Sequence, residues 1–143
     1  MKIRNAKKED LKEIVSIFVA ESKKRPYLQK WTKKSATNDL KPFLKKKELW
    51  VAVLDEKIVG FILVGVTSSN KRIAYISEIW VAENYQGKGV GKSLLVFIEG
   101  YYKKKGVERI RLTSYNKSKA FSFYKKLNYK ASKEFILLEK KLR

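Results

Sequence analysis

A glycine- and lysine-rich stretch, QGKGVGKS at residues 86–93, has the residue types of a phosphate-binding loop. It stands between an apolar run typical of a strand and a run with apolar residues at helical spacing. The first N–H groups of a helix have no partners within the helix, and the helix dipole places partial positive charge there. Three glycines let the backbone approach an oxyanion, and two lysines add charge. The stretch therefore predicts a phosphate site, with a glycine-rich turn that binds nothing as the alternative.

The two common nucleotide-binding motifs do not fit this stretch. A P-loop, G-x-x-x-x-G-K-[ST], needs glycine where the chain has Gln86. The preceding strand ends early, at about Ala82, and no apolar strand ending in Asp follows to hold magnesium. A dinucleotide loop, G-x-G-x-x-G, needs glycine where the chain has Lys92. The residues do satisfy a third pattern, Q/R-x-x-G-x-G/A, from Gln86 to Gly91.

The composition restricts the chemistry that the chain can perform. It contains no cysteine and no histidine. Disulfides, thiolate metal sites, cysteine nucleophiles, serine–histidine catalysis and most zinc sites are therefore excluded, and we predict no metal. Any general base must be Glu, Asp, Tyr, Lys or a water held by the protein.

Hydrophobic periodicity predicts ten elements around the loop, in the order β-α-α-β-β-β-α-β-α-β. Two helices follow the first strand, the second of them interrupted near Pro42, and the residues DEK join two β-rich runs as a hairpin. The helix after the loop ends near Gly106, and a later helix begins with Asn116 as its N-cap. The run KEFILLEKKL predicts a final strand. This order indicates a mixed α/β class with strand–helix–strand at its centre.

The length and charge set expectations about organisation and partners. The 143 residues fit one domain, residues 1–143. A net charge of +20, from 34 Lys and Arg against 14 Asp and Glu, suits an anionic partner such as nucleic acid or a ribosome. A lysine-rich composition that simply fills the solvated surface is the alternative. We expect a cytoplasmic protein, because no run suits a signal peptide or a membrane span.

Two segments together resemble a known family. The loop from Gln86 to Gly91, and the downstream TSYNKSKAFSFYKKLNY with Asn116, Ala120, Phe123 and Tyr124, are similar to motifs of the GCN5-related N-acetyltransferase (GNAT) family. The resemblance implies an α/β (α+β) fold. Its sheet is mixed and mostly antiparallel, with six to seven strands splayed at the central strands and about four flanking helices. The family usually ends the last helix with a Gly-aromatic pair, and here Asn128, the next best left-handed residue, stands for Gly.

The resemblance implies an acetyl-CoA-dependent N-acetyltransferase that moves an acetyl group to a primary amine by direct attack in a ternary complex. Backbone N–H groups would hold the pyrophosphate, the Ser93 hydroxyl would assist, and backbone groups at the end of the preceding strand would pair with the pantetheine arm. Asn116 matches a contact to the same arm, and Lys119 is a candidate for the 3′-phosphate. The backbone positions are Gln86, Gly87, Lys88, Gly89, Val90, Gly91 and Lys92 in the loop, and Ile79, Trp80 and Val81 in the strand.

Two residues are predicted to transfer protons. Tyr124 matches the family's general acid for the leaving thiolate, with a core aromatic residue as the alternative. Glu78, on the strand before the loop, is the candidate general base, directly or through water, and a solvated or ion-paired strand residue is the alternative. A hydrophobic setting would raise its pKa toward a useful value.

The acceptor site is the least specified part. The resemblance places residues 23–37 at its border, where Tyr27 and Trp31 are candidate substrate-binding residues. These rings and the nearby lysines favour an acidic or aromatic peptide terminus over a polyamine or aminoglycoside, which a +20 protein repels. The competing function is a nucleic-acid- or ribosome-binding module on the same scaffold. We expect a monomer or a homodimer.

Overall fold

A computed structural model describes residues 1–67 and 69–143 of the chain. These residues form two compact units, 1–113 and 114–143. The first unit contains a five-stranded sheet and four α-helices, and the second contains one α-helix. The mixed α/β class expected from the sequence is confirmed.

The sheet of the first unit has strands in the sequential order β1-β2-β3-β4-β5. Neighbours are antiparallel except β4 and β5, which are parallel. Asp55 and Glu56 form the predicted turn between β2 and β3, and both have positive φ, as a two-residue hairpin loop of type I′ requires. The strands are β1 (Lys2–Asn5), β2 (Leu49–Leu54), β3 (Lys57–Val66), β4 (Ile73–Val81) and β5 (Arg109–Arg111).

The helices of the first unit cover both faces of the sheet. They are α1 (Leu11–Ser22), α2 (Lys33–Leu40), α3 (Pro42–Lys45) and α4 (Val90–Lys104). Apolar residues of α1 and α2 form one core with β2 and β3, including Phe18, Leu40 and Phe61. On the opposite face α4 lies so close to β3 that a side chain at Gly60 would stand 3.1 Å from Val90 Cγ1.

Two sequence predictions about these helices are confirmed. The second predicted helix is interrupted next to Pro42, where α3 begins. Gly106 follows the end of α4 with a φ of 87°, the left-handed conformation that closes a helix. Within residues 1–67 and 69–143, no helix is long and apolar enough to cross a membrane.

A bulge divides β4 into two parts. Leu63 pairs with Glu78 and Val64 pairs with Ile76, so Ser77 is an extra residue in β4. Before the bulge, β4 pairs with β5 through Ile73–Tyr75. Beyond the bulge, the residues of β4 do not pair with β5. The pairing of β4 with β5 thus ends before the bulge, and the splayed sheet that the family resemblance implies stays a prediction.

The second unit contains α5 (Lys119–Lys126). The prediction that Asn116 caps this helix is wrong, because Ser118 is the N-cap and its Oγ accepts a hydrogen bond from Phe121 N–H at 3.2 Å. Asn116 lies too early in the chain for that bond. Asn128 takes the left-handed position after the helix, with a φ of 69°. The substitution of Asn for the family's usual Gly is thus accommodated.

The predicted number of strands, six to seven, is wrong, because the described residues contain five. The run KEFILLEKKL does not form the expected final strand. Its apolar side chains are exposed, for example Ile136 at 80% and Leu138 at 88%. A strand needs a neighbour to receive its backbone hydrogen bonds, and the second unit, all of whose residues are described, contains no strand. The strand propensity of these residues therefore predicted a strand that does not form.

Candidate functional site

The phosphate loop, residues 86–92, connects β4 to α4 after a short 3-10 turn, Glu83–Tyr85. Gly87 and Gly89 have φ values of 72° and 85°, which residues with side chains rarely adopt. A Cβ added at either glycine would meet no heavy atom within 4 Å. The glycines are thus required by the backbone conformation, and open space lies beside them.

The start of α4 supplies hydrogen-bond donors at this loop. Gly89 is the N-cap, and the first helical bond runs from Ser93 N–H to Gly89 O at 3.0 Å. The N–H groups of Val90, Gly91 and Lys92 therefore have no acceptor within the helix. A 15-residue helix adds the positive end of its dipole at the same point. Donors, positive φ glycines and open space together fit a diphosphate.

The side chain of Gln86 fixes the loop to two other elements. Its Nε2 donates to Glu21 Oε1 at the end of α1 (2.6 Å) and to Val81 O at the end of β4 (2.9 Å). The other oxygen of Glu21, Oε2, accepts from Lys24 Nζ at 2.8 Å, and Lys24 also pairs with Glu83 at 3.4 Å. Glu21 is buried, with only 8% of its surface exposed. Both oxygens of its carboxylate accept hydrogen bonds, one from Gln86 and one from Lys24, as a buried charge requires.

The end of β4 presents backbone groups to the side that β5 leaves uncovered. Ala82 N–H donates to Val59 O of β3 at 2.9 Å. In an antiparallel ladder, alternate residues bond to the same neighbour, so Trp80 directs its backbone groups to β3, and Ile79 and Val81 direct theirs away from it. Val81 O receives the Gln86 side chain. We call the outward groups of Ile79, together with the N–H group of Val81, the open edge of β4.

Glu78 lies on the sheet face beneath α1 and α2. It pairs with Leu63 of that core, and cross-strand partners share a face. Its Oε2 accepts from Trp80 Nε1 at 3.3 Å. Burial raises the pKa of Glu78 to about 7; the Trp80 hydrogen bond opposes this rise, and the negative charge of Asp39 adds to it. A carboxyl group with this pKa can accept a proton near neutral pH.

Four aromatic residues, Phe18, Tyr27, Trp31 and Trp80, form what we call the ring cluster. Trp80 contacts Tyr27 (centroids 4.9 Å apart) and Phe18 (5.9 Å), and Phe18 contacts Trp31 (5.1 Å). Trp31 Nε1 donates to Gln29 Oε1 at 2.6 Å. Phe18 is fully buried, and the other three rings are half-buried. The structure thus brings both acceptor-site candidates, Tyr27 and Trp31, together with the strand that carries Glu78.

The remaining candidates belong to the second unit. Asn116 and Lys119 are exposed at the start of α5. Tyr124 is buried within α5, with ring contacts to Phe123 (5.3 Å) and Tyr129 (5.8 Å). Its ring therefore has the packing of a core aromatic residue. The general-acid role assigned to it stays a prediction.

The sequence reasoning missed Glu21 and Asp39. Glu21 continues the apolar stripe of α1, three residues after the buried Phe18, and an acid in that position is the signal that was available. It also lies in the last helical turn, where acids are unfavourable without a partner. Asp39 is exposed and gives no such signal.

The chain is similar to known proteins over most of its length. The model of the acetyltransferase (GNAT) family matches residues 9–129. A transcriptional regulator from Bacillus halodurans C-125 is 27% identical, with a TM-score of 0.76 and coverage of 96% of this chain and 98% of that one. A possible acetyltransferase from Clostridium difficile 630 is 21% identical, with a TM-score of 0.84 and coverage of 99% and 97%.

One further solved structure is an aminoglycoside acetyltransferase from an uncultured soil metagenomic sample, in complex with sisomicin. It is 22% identical, with a TM-score of 0.73, and the match covers 99% of this chain and 96% of that one. At such identities, the likeness to this structure and to the Clostridium difficile structure shows the fold alone. No curated protein matches the chain.

Proposed function

Because this chain belongs to the acetyltransferase (GNAT) family, whose members use acetyl-CoA, we propose that it transfers the acetyl group of acetyl-CoA to a primary amine. The acceptor is a peptide or protein N-terminus, a lysine or a small-molecule amine. The observation that carries the proposal is the start of α4, where three N–H groups without helical acceptors lie beside Gly87 and Gly89.

The phosphate loop would hold the diphosphate of acetyl-CoA through the N–H groups of Val90, Gly91 and Lys92. Lys88 and Lys92 are exposed and add positive charge, and Ser93 offers a hydroxyl group in the same turn. The backbone of Gln86 would complete the loop. Phosphate groups commonly bind at a glycine-rich loop that leads into a helix N-terminus.

The open edge of β4 would receive the pantetheine arm as an additional strand. Ile79 and Val81 supply the outward backbone groups. Trp80, which was also expected to do so, directs its backbone to β3 and instead contributes its ring to the cluster. Asn116 and Lys119 would contact the arm and the 3′-phosphate. A thioester held in this way is aligned for attack.

Direct transfer needs no covalent enzyme intermediate. The amine nitrogen forms a bond to the carbonyl carbon, the C–S bond breaks, and the thiolate leaves. Glu78, whose burial raises its pKa to about 7, would take the proton of the amine, directly or through water. Tyr124 would give a proton to the thiolate. The chain has no cysteine to carry the acetyl group, which favours a ternary complex.

Release of free thiol from acetyl-CoA tests the proposal. The chain contributes no thiol of its own, so a thiol reagent reports only coenzyme A. We expect amine-dependent release by the parent protein and loss of release in Gly89→Glu, which places bulk and negative charge in the loop.

Gly106→Glu is the matched control for this test. Gly106 also has a positive φ, 87°, and open space around it, but it lies at the other end of α4. Equal activity of the two glycine variants, or no release with any amine, would contradict the proposal.

A second candidate function rests on the net charge of +20. In this function, the lysine-rich surface of an acetyltransferase-like scaffold would bind nucleic acid or a ribosome. The excess of Lys and Arg is spread along the chain, which is the feature of a general electrostatic surface and not of a built interface.

A further inference from the structure

Trp80 connects Glu78 to the ring cluster, because it contacts Glu78, Tyr27 and Phe18. Glu78 and Trp80 point to the same face of β4, and Trp80 Nε1 donates to Glu78 Oε2 at 3.3 Å. An amine that reaches this carboxyl group therefore stands beside the Trp80 ring. Tyr27 meets the same ring edge to face, at 4.9 Å and 75°.

The partly exposed rings provide a wall for an apolar group. Phe18 is fully buried, and the rings of Trp31 and Trp80 pack against it. Tyr27, Trp31 and Trp80 each keep part of their surface in contact with solvent. Aromatic pairs in tilted or edge-to-face contact gain free energy beyond that from the burial of their area. A ligand ring added to this wall would gain in the same way.

Exposed lysines flank Trp31 in the chain, but the groups at the Trp80 end of the wall are acidic. Glu78 lies beside Trp80, and the charge of Asp39 acts on Glu78. Lys24, in the loop after α1, forms ion pairs with Glu21 and Glu83. A carboxylate on the acceptor would meet like charge here. A polycation is disfavoured for the opposite reason, because the whole chain carries +20.

Resting on the proposed function, we infer that the acceptor is a primary amine joined through a short linker to an aromatic ring. The ring packs against Tyr27, Trp31 and Trp80 while the amine reaches Glu78. A free arylalkylamine and a peptide beginning with an aromatic residue share this chemistry. The sequence left acidic and aromatic acceptors open, and the contacts of Glu78 with the ring cluster favour the aromatic one.

The experiment measures binding and turnover with matched amines. The probes are 2-phenylethylamine, ethylamine and spermidine, with peptides beginning with Phe, Ala or Glu to distinguish the two sources. Dissociation constants are measured by calorimetry in the presence of coenzyme A, which cannot react, and kcat/KM is measured by thiol release. We expect 2-phenylethylamine to bind about tenfold or more tightly than ethylamine, and the Phe peptide to exceed the Ala and Glu peptides if a peptide is the source.

Variants show whether the preference comes from the ring cluster. Tyr27→Leu and Trp31→Leu should reduce the tenfold preference to about threefold or less, and Tyr27→Phe should keep it. Phe97→Leu is the matched control, because Phe97 packs on Trp50 at 5.3 Å, outside the ring cluster. Equal binding of 2-phenylethylamine and ethylamine to the parent protein would overturn the inference.

The inference and the proposed function can fail separately. Thiol release with ethylamine and 2-phenylethylamine at the same kcat/KM overturns the inference and leaves the proposed function intact. A preference for 2-phenylethylamine that persists in both Leu variants also overturns it. If coenzyme A itself does not bind, the proposed function fails, whatever the amines do.

Discussion

The Nε2 of Gln86 lies 2.6 Å from Glu21 Oε1, although 65 residues separate the two in the chain. The same nitrogen donates to Val81 O at 2.9 Å. One amide thus connects the end of α1, the end of β4 and the beginning of the phosphate loop. The glutamine that excludes a P-loop in the sequence has a structural role of its own, which is to hold the loop in place.

Removing the Glu21 carboxylate should weaken acetyl-CoA binding. We expect Glu21→Ala to raise the KM for acetyl-CoA about tenfold, which is roughly 1.4 kcal/mol and close to the lower end of the range for a hydrogen bond to a charged group. The kcat should change less than threefold, because Glu21 positions the loop and does not touch the reacting atoms. Steady-state kinetics with varied acetyl-CoA measure both values.

Glu13→Ala is the control for this prediction. Glu13 is also a glutamate of α1, and its Oε2 accepts from Ile58 N–H at 3.2 Å, away from the loop. An equal rise of KM in the two variants would mean that any weakening of α1 acts on the loop. Glu21→Gln, which keeps an acceptor oxygen, should recover most of the binding.

The pH dependence of the rate should report Glu78. A base must be deprotonated, so kcat/KM is expected to rise with pH up to an apparent pKa of about 7 and then level off. Asp39→Asn should move this rising part of the pH profile to lower pH, because the charge of Asp39 raises the pKa of Glu78. Glu78→Gln should lower kcat/KM about 100-fold and remove the rise. An unchanged rise in Glu78→Gln would assign the base to another group.

Glu78 should also reduce stability at high pH. Its pKa is raised from 4.5 to about 7 on folding, so its favourable contribution is complete below pH 4.5 and is lost as pH rises through 7. Glu78→Gln is therefore expected to be more stable than the parent protein at pH 8, by up to about 3 kcal/mol, and no more stable at pH 4. Thermal melts at the two pH values measure this. A lower Tm for the variant at pH 8 would contradict the assignment.

Tyr124→Phe tests the proposed general acid. The change removes only the hydroxyl group and keeps the ring that packs on Phe123 and Tyr129. We expect kcat to fall about 100-fold, within the usual range for acid catalysis, while the KM for acetyl-CoA stays within twofold. Tyr129→Phe, a neighbouring change of the same kind, should leave kcat intact. A kcat within threefold of the parent value would leave Tyr124 as a core residue only.

The charge of the chain predicts salt-sensitive binding of polyanions. An RNA oligonucleotide should lose about 1,000-fold or more in affinity between 50 and 200 mM salt if its contacts are only to phosphates. Heparin should bind equally well, since neither ligand meets a built site. Fluorescence anisotropy measures both. Tight binding of RNA alone at 200 mM salt would favour the nucleic-acid function over the acetyltransferase account.

The sequence predicted those features that depend on neighbouring residues. The phosphate loop follows from glycines at positive φ and from the start of a helix, which are local properties, as are the hairpin at Asp55 and Glu56 and the helix end at Gly106. The pairing of Gln86 with Glu21 is not local, and no pattern in either segment specifies it. The bulge at Ser77 carries no glycine or other mark in the sequence.

The sequence predictions were wrong where the local structure depends on a contact with another residue or strand. The apolar run at residues 135–138 has strand propensity, but it lies in a unit with no other strand. We predicted Asn116 as the N-cap of α5, and the structure has Ser118 in that position. Both are good capping residues that lie close together, and only Ser118 accepts the hydrogen bond from Phe121 N–H. Tyr27 and Trp31 were chosen for their type, and their contacts with Phe18 and Trp80 come only from the fold.

The most direct measurement of the central claim is a thermal melt of the parent protein with acetyl-CoA, with ATP–magnesium, and with neither, at moderate salt. A ligand at 100 times its dissociation constant stabilises by about 2.7 kcal/mol, which in a domain of this size raises Tm by about 3–6 °C. We expect this rise with acetyl-CoA, little change with ATP–magnesium, and loss of the rise in Gly89→Glu but not in Gly106→Glu. A rise with ATP–magnesium alone, or an equal rise with both ligands, would contradict it.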